Sequence, residues 1–256
     1  MTPKPLDGLR VLVPRGGKWG DGVAATLRTL GATPVVAPMI NFASADNAAE
    51  LANVFHQLED GQYDWLVVSS ATTVDVLMGH RVRIPESTRV VAVGETTAPA
   101  LLLAGFRVDF VPEVDNSARG LLREWPSISG RVLIPQAEVV EPHLERAIEE
   151  YRLDATVVTA YRTVGVPVSE EVREDVASGR MAAILVSSGS VARQIAEQLA
   201  PLPSSTIVAC IGPRTAFDAR AAGLRVDIIA EDRSADSLVG ALAEFVSAGR
   251  RSPDAG

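Results

Sequence analysis

Val67-Val68-Ser69-Ser70 and Leu185-Val186-Ser187-Ser188 are two copies of one phrase, and the fold follows from reading them together. They lie 118 residues apart (67 to 185). The same separation carries Gly94-Glu95-Thr96-Thr97-Ala98 onto Gly212-Pro213-Arg214-Thr215-Ala216, Ala104-Gly105 onto Ala222-Gly223, and Val108-Asp109 onto Val226-Asp227. Ser117-Ala118 recurs 117 residues on as Ser234-Ala235, and Arg10-Val11-Leu12-Val13-Pro14 recurs 121 residues on as Arg131-Val132-Leu133-Ile134-Pro135. This many matches in one order mark an internal duplication. Around them, short β-branched runs alternate with helical patterns, which predicts a mostly parallel sheet covered by helices. Strands are expected at Arg10–Pro14, Trp65–Val68, Val90–Val93, Arg131–Ile134, Ala155–Val158, Ala183–Val186 and Ile207–Ile211. Helices are expected at Gly22–Leu30, Ala48–Leu58, Thr97–Ala104, Pro142–Tyr151, Val191–Leu199 and Thr215–Ala222, several ending at a glycine. The expected fold class is α/β, with two similar lobes, each a mostly parallel sheet flanked by helices, and a ligand site at their junction.

Composition narrows the function. At 256 residues with 47% hydrophobic content, the chain can form two domains of ordinary size. Its apolar runs, such as Thr206–Ile211, fall far short of the roughly 20 residues of a membrane span, and Met1–Gly8 is polar and leads straight into a strand. A soluble, cytoplasmic, monomeric protein with no membrane partner is expected. A net charge of −8 argues against a nucleic-acid partner. His56, His80 and His143 lie in separate segments without metal-ligand spacing, so no metal is expected. Cys210 sits in an apolar strand pattern and reads as an inert buried thiol.

The repeated Ser-Ser and Gly-x-x-Thr-Ala segments each follow a strand and open a helix. Ligands of open α/β sheets bind at the carboxyl ends of the strands, where helix N-termini leave amides unpaired and carry partial positive charge. Ser69, Ser70, Thr97, Ser187, Ser188, Gly212 and Thr215 are therefore candidate contacts for a ligand bearing several anions, with helix openings expected at Ser70, Thr97, Ser188 and Thr215. Ser and Thr at these positions equally satisfy plain N-capping. Arg15-Gly16-Gly17-Lys18 after the first strand reads as a loop able to hold an anion or simply a solvated one. It matches neither the P-loop nor G-x-G-x-x-G, the two motifs that would point to a bound nucleotide. Tyr161, in Thr159-Ala160-Tyr161-Arg162-Thr163, carries a hydroxyl that is protonated at neutral pH and able to donate.

Gly94-Glu95-Thr96-Thr97-Ala98, Val108-Asp109-Phe110-Val111-Pro112-Glu113, Ala160-Tyr161-Arg162-Thr163, Ser178-Gly179 and Ile211-Gly212-Pro213-Arg214-Thr215-Ala216 together resemble the uroporphyrinogen-III synthase family, over about Gly8 to Phe245. The resemblance implies closure of the linear tetrapyrrole hydroxymethylbilane to uroporphyrinogen III, with inversion of the last ring and loss of water, and without cofactor or metal. It implies that Tyr161 protonates the departing hydroxyl, with Ser70, Thr97, Ser188 and Thr215 around a substrate that carries eight carboxylates. Arg15 keeps the arginine of a family Thr-Arg-Pro although Pro14-Arg15-Gly16 stands here, and Arg214 replaces a family hydroxyl, where a guanidinium would bind a carboxylate at least as well. The family further implies a discontinuous lobe of about residues 1–36 plus 164–256, a second of about 41–157, and linkers at about 35–40 and 157–163. Two rivals follow from the same features: a non-catalytic two-lobed module binding an anionic small molecule, and a nucleotide-binding oxidoreductase.

Overall fold

The computed structural model describes residues 4–94, 96–113, 118–125, 129–138 and 153–250; Glu95, Ser117 and the helix expected over residues 142–151 lie outside them. One five-stranded sheet comprises β1 (Arg10–Val13), β2 (Thr33–Val36), β8 (Ala183–Val186), β9 (Ile207–Cys210) and β10 (Ile228–Ile229), in the order β10-β9-β8-β1-β2. All its pairings are parallel. The other comprises β3 (Ile40–Ser44), β4 (Trp65–Val68), β5 (Arg89–Ala92), β6 (Arg131–Ala137) and β7 (Asp154–Gly165), in the order β3-β7-β6-β4-β5. Here β4 runs parallel to β5 and β6, and β6 to β7.

The chain divides into two compact units, Met1–Asn41 with Val164–Gly256, and Phe42–Thr163. The strands that match in sequence do not fold beside their own half. β1 and β2, from the first half, share a sheet with β8, β9 and β10 from the second, with β1 beside β8, whereas β6 and β7, their copies 121 residues on, share a sheet with β4 and β5, with β6 beside β4. The two separations seen in the sequence, 118 and 121, thus belong to two different pieces of the same sheet. The register repeats as well: Ile228 pairs with Ala209, and 118 residues earlier Phe110 bridges Val91. Val35 and Val36 end β2, and the strand beside β7 is β3.

Both faces of each sheet are buried, which explains why the strands read as nearly continuous apolar runs. Leu12, Ile184, Val186 and Val208 face one cluster, and their neighbours Val11, Val13, Leu185 and Ala209 face another. In the second unit Leu66, Val68, Val90 and Leu133 alternate in the same way with Trp65, Val67, Val91 and Val132. The polar lead-in before β1 also contributes to this core: Leu6 is fully buried, and its N–H donates to the Leu30 carbonyl at 3.0 Å.

A polar clamp is duplicated along with the core. The Asp109 carboxylate accepts the Val90 N–H at 2.7 Å and the Arg107 Nε at 3.1 Å, and Arg107 donates onward to the Thr88 and Glu86 carbonyls. At 118 residues' remove, Asp227 accepts the Val208 N–H at 2.8 Å and the Arg225 Nε at 2.7 Å, and Arg225 donates to the Thr206 and Ser204 carbonyls. The buried hydroxyls of Thr88 and Thr206 complete the match, donating to the carbonyls of Tyr63 and Met181.

Cys210 is fully buried at the end of β9, and burial pushes its thiol up to about 11, against a lowering by the Arg220 charge. It is expected to resist alkylation in the native protein at pH 8 and to react on unfolding, as mass spectrometry of labelled protein would show. The folded thiol keeps its proton to about 11 where an unperturbed one loses it near 9.0. Its contribution to stability is therefore complete below pH 9 and is lost as pH rises toward 11. Among the described residues no helix is long and apolar enough to cross a membrane.

Candidate functional site

Because β1 and β9 both run parallel to β8, the carboxyl ends of β1, β8 and β9 share one edge of the first sheet. Those of β4, β5, β6 and β7 share one edge of the second. The residues singled out in the sequence sit on these two edges.

In the first unit, Arg15 follows β1 and its guanidinium lies over the Trp19 ring, 5.3 Å from the centroid. The anion loop expected at Arg15–Lys18 is shorter than predicted. Helix α1 (Gly17–Thr29) already begins at Gly17 with Gly16 as its N-cap, so Lys18 stands in the first helical turn. Gly20 allows this early start, because any side chain there would run into the Arg15 carbonyl. After β8, the Ser188 hydroxyl caps helix α7 (Gly189–Leu199), accepting the Val191 N–H at 3.3 Å. Ser188→Ala is expected to cost about 1 kcal/mol of stability, read as a shift of the denaturation midpoint. The Ser187 Oγ beside it is buried and has no hydrogen-bond partner among the described residues. After β9, Gly212 is the N-cap of helix α8 (Pro213–Ala221), which places Arg214 and the buried Thr215 in its first turn. Arg214 is exposed and reaches along the helix to Asp218 at 3.2 Å.

In the second unit, Ser69 is exposed and Ser70 caps helix α3 (Ala71–Gly79), its Oγ accepting the Thr73 N–H at 3.1 Å. Thr97 is buried as the first residue of helix α4 (Thr97–Leu103), with Thr96 as N-cap. Gly94 turns the chain into this helix at φ +99°, where a Cβ would come within 3.2 Å of the Thr97 Oγ1.

Two of the four expected openings are thus corrected: Ser70 and Ser188 cap their helices, but at the other two the caps are Thr96 and Gly212. At the latter, Pro213 takes the first helical position, where its fixed φ suits the turn and its missing N–H costs nothing.

Tyr161 lies on β7, only 8% exposed, with its ring edge-on to Phe42 of β3 at 5.4 Å between centroids. Its hydroxyl is 3.0 Å from the Ser70 Oγ. The structure therefore brings together two of the predicted residues that lie 91 positions apart in sequence.

The electrostatics of these helix ends share one character. Helices α1, α3, α4, α7 and α8 have no acidic residue in the first turn. Of the other described helices, α2 (Ala48–Glu59) has Glu50 there, α6 (Glu170–Ala177) has Glu170 and Glu171 and α9 (Ala235–Arg250) has Asp236, whereas α5 (Ala118–Glu124) has no acid in its first turn. An acid in the first turn stabilises a helix by about 0.3–1 kcal/mol. At α1 and α8 a cation, Lys18 or Arg214, stands there instead, against the helix dipole. Edges built this way favour anionic ligands.

Three residues on these edges were missed by the sequence reading. Arg233, exposed just after β10, lays its side chain 3.1 Å from where a Gly212 Cβ would stand. Gln136, the copy of Arg15 at 121 residues, is 6% exposed with its Nε2 unpartnered among the described residues. Thr73, the copy of Val191 at 118 residues, is fully buried. Carrying the repeat through residue by residue, rather than only where identities recur, would have exposed the last two. Among the described residues no group of three or more His, Cys, Asp or Glu side chains is arranged to hold a metal ion.

Comparison with known proteins gives a consistent result. The chain is 27% identical over 253 residues to the "porphyrin biosynthesis protein HemD" of Ruminiclostridium josui, covering 94% of this chain but 49% of that protein, so it spans about half of that relative's length. It is 22% identical over 262 residues to a uroporphyrinogen-III synthase of Synechococcus elongatus, covering 96% of this chain and 98% of the relative. In fold it matches the crystal structure of a mutant uroporphyrinogen III synthase from the extremely thermophilic bacterium Thermus thermophilus, with a TM-score of 0.65 at 20% identity over 95% of this chain and 100% of that one. Residues 21–240, most of the chain, match the sequence model described as uroporphyrinogen-III synthase HemD, and the chain belongs to that family.

Proposed function

We propose that this protein is a uroporphyrinogen-III synthase, which closes hydroxymethylbilane to uroporphyrinogen III with inversion of the last pyrrole ring and release of water, in haem biosynthesis. Beyond family membership, the observation that carries the reading is the Tyr161 phenol held 3.0 Å from the Ser70 hydroxyl at the carboxyl edge of the second sheet. In this reading Tyr161 is the acid. The bond from the terminal methylene carbon to its hydroxyl breaks, the electron pair leaves with the oxygen, and the phenol proton makes it water. For inversion, the freed methylene carbon bonds to the carbon of the last ring that already carries the chain. The old bond from that carbon to its bridge breaks, and the bridge carbon bonds to the ring's unsubstituted carbon. The hydrogen lost there returns to Tyr161 as a proton, so the cycle closes without a cofactor.

The remaining site residues act on charge and position. Arg15, Ser69, Ser187, Ser188, Thr97, Gly212, Arg214 and Thr215 are assigned to the substrate's carboxylates, each well-placed charge-assisted bond contributing roughly 1.5–3 kcal/mol. The free substrate closes unaided to the type I isomer, so the enzyme's task is steering. A thousandfold preference for the inverted closure needs about 4 kcal/mol of differential transition-state stabilisation, within reach of orientation and a few such bonds. We take the enzyme to act as a monomer in the cytoplasm with no nucleic-acid partner, a reading supported by its net charge of −8 and checked by sedimentation.

The test is to incubate purified protein with freshly generated hydroxymethylbilane and separate the porphyrin isomers after oxidation. Type III product is expected; type I alone would overturn the proposal and leave a non-catalytic anion-binding module as the better account.

A further inference from the structure

The duplication supplies an internal control for the tyrosine site. Applying the two separations, the unit-one counterparts of Ser70, Thr73 and Tyr161 are Ser188, Val191 and Ile40. The framework is the same in both: each serine caps its helix by accepting the N–H three residues on, from Thr73 at 3.1 Å and from Val191 at 3.3 Å. Val191 is fully buried, and Ile40 packs on the same cluster. The fold therefore needs no hydroxyl at either position. In unit two, however, the Tyr161 hydroxyl stands 3.0 Å from Ser70 Oγ, Ser70 Oγ stands 3.0 Å from Thr73 Oγ1, and Thr73 Oγ1 donates to the Pro135 carbonyl of β6 at 3.5 Å. Thr73 is 0% exposed. A buried hydroxyl that the sister unit replaces with valine has a role other than holding the helix.

We propose that Thr73 is a positioning residue that acts through Ser70 on the Tyr161 phenol, forming with Ser70 a two-hydroxyl relay that supports the phenolate left when Tyr161 gives up its proton. The inference rests on the reading of Tyr161 as the acid. A carbonyl only accepts, so with Thr73 donating to Pro135 the chain runs one way: Tyr161 donates to Ser70, Ser70 to Thr73, and Thr73 to Pro135. Turning the two hydroxyl protons reverses it. Thr73 then donates to Ser70 and Ser70 to the tyrosine oxygen, while the phenol proton passes to the departing hydroxyl, which leaves as water. In that arrangement Ser70 Oγ accepts both the N–H and the O–H of Thr73, using both lone pairs, and its own proton is committed to the phenolate. The bond given up, at 3.5 Å, lies at the outer limit of a hydrogen bond, so the reversal costs little. The bond gained is charge-assisted and is strengthened by the donor behind it. Against the Tyr161 ring packs the Phe42 ring of β3; Arg162, next along β7, pairs with Asp46 at 3.3 Å and donates to the Ser44 carbonyl.

The test compares Thr73→Val, Thr73→Ser and Val191→Thr. Val191 shows that valine suits this framework, so Thr73→Val is expected to keep the wild-type thermal midpoint. It should lower kcat about fivefold with KM unchanged, while Thr73→Ser restores kcat and Val191→Thr leaves it alone. Independently of any substrate, the ultraviolet titration of Tyr161, taken as the difference from Tyr161→Phe, should move up by roughly 0.7 pH unit in Thr73→Val, the same fivefold on a pH axis. An unchanged or lowered phenol titration in a folded Thr73→Val overturns the relay. Should Thr73→Val lose its fold, the titration of Thr73→Ser decides, since a relay requires it to match the wild type. Failure of the wild type to form type III product overturns the synthase reading instead, and leaves the titration to judge the relay on its own.

Discussion

Replacing Tyr161 by phenylalanine is expected to slow formation of uroporphyrinogen III by about a hundredfold or more, the usual contribution of a positioned general acid, while substrate binding is mostly kept. The ring would still pack edge-on against Phe42 and remain in the buried cluster of the second unit, so the change removes one hydroxyl and little else. Ser70 would keep its capping bond from the Thr73 N–H, and the helix behind it should stand. Initial rates at saturating hydroxymethylbilane, with isomers separated, measure the effect. The residual product should shift toward type I, because the uncatalysed closure then competes. Turnover equal to wild type would remove Tyr161 from the mechanism while leaving the fold and family untouched.

The second large effect concerns stability. Asp227→Ala is expected to destabilise the protein by about 2 kcal/mol. It strips the Val208 N–H of its 2.8 Å acceptor and leaves Arg225 without its carboxylate, and a part-buried donor left unpaired carries the full desolvation penalty. In a chain of this length that corresponds to a fall of roughly 4–8 °C in the thermal midpoint. Asp109→Ala should cost a similar amount, because the same carboxylate accepts the Val90 N–H at 2.7 Å and the Arg107 Nε at 3.1 Å. The two clamps share no partner, so the double variant should be near the sum. Asp227→Asn, which keeps an oxygen for the Val208 N–H, should lose less. Calorimetry of these variants beside the wild type checks all of this, and an Asp227→Ala variant as stable as wild type would show that the clamp is an ornament of the repeat.

These clamps show how far the sequence could be read. Val108-Asp109 and Val226-Asp227 were visible as a recurring pair, but their role was not, because the N–H groups they satisfy lie 19 residues away on another strand. Ser70 and Ser188 were legible as helix caps, since capping is local and its side chain, acceptor and period are contiguous. Thr97 and Thr215 were assigned the same role and do not hold it. The start of a helix depends on which residue first adopts helical dihedrals, and Pro213 moved one start by its fixed φ. Arg15-Gly16-Gly17-Lys18 read as a loop because two adjacent glycines ordinarily break structure; the helix begins there because Gly20 lets the Arg15 carbonyl approach closely.

By itself the sequence determined the duplication, the alternation of parallel strands and helices, the family, and the candidate hydroxyls and cations at the strand ends, since each is carried by short-range spacing or by the order of motifs. Tertiary structure decided the strand order and register within each sheet, with β1 between β2 and β8 in one and β6 between β7 and β4 in the other. It also decided that the Tyr161 phenol meets Ser70 and, through it, the buried Thr73, in one unit and not in its twin. The physical reason is the same in both cases: hydrogen bonds between residues as far apart as 70 and 161 depend on sheet order and register, which no local pattern encodes.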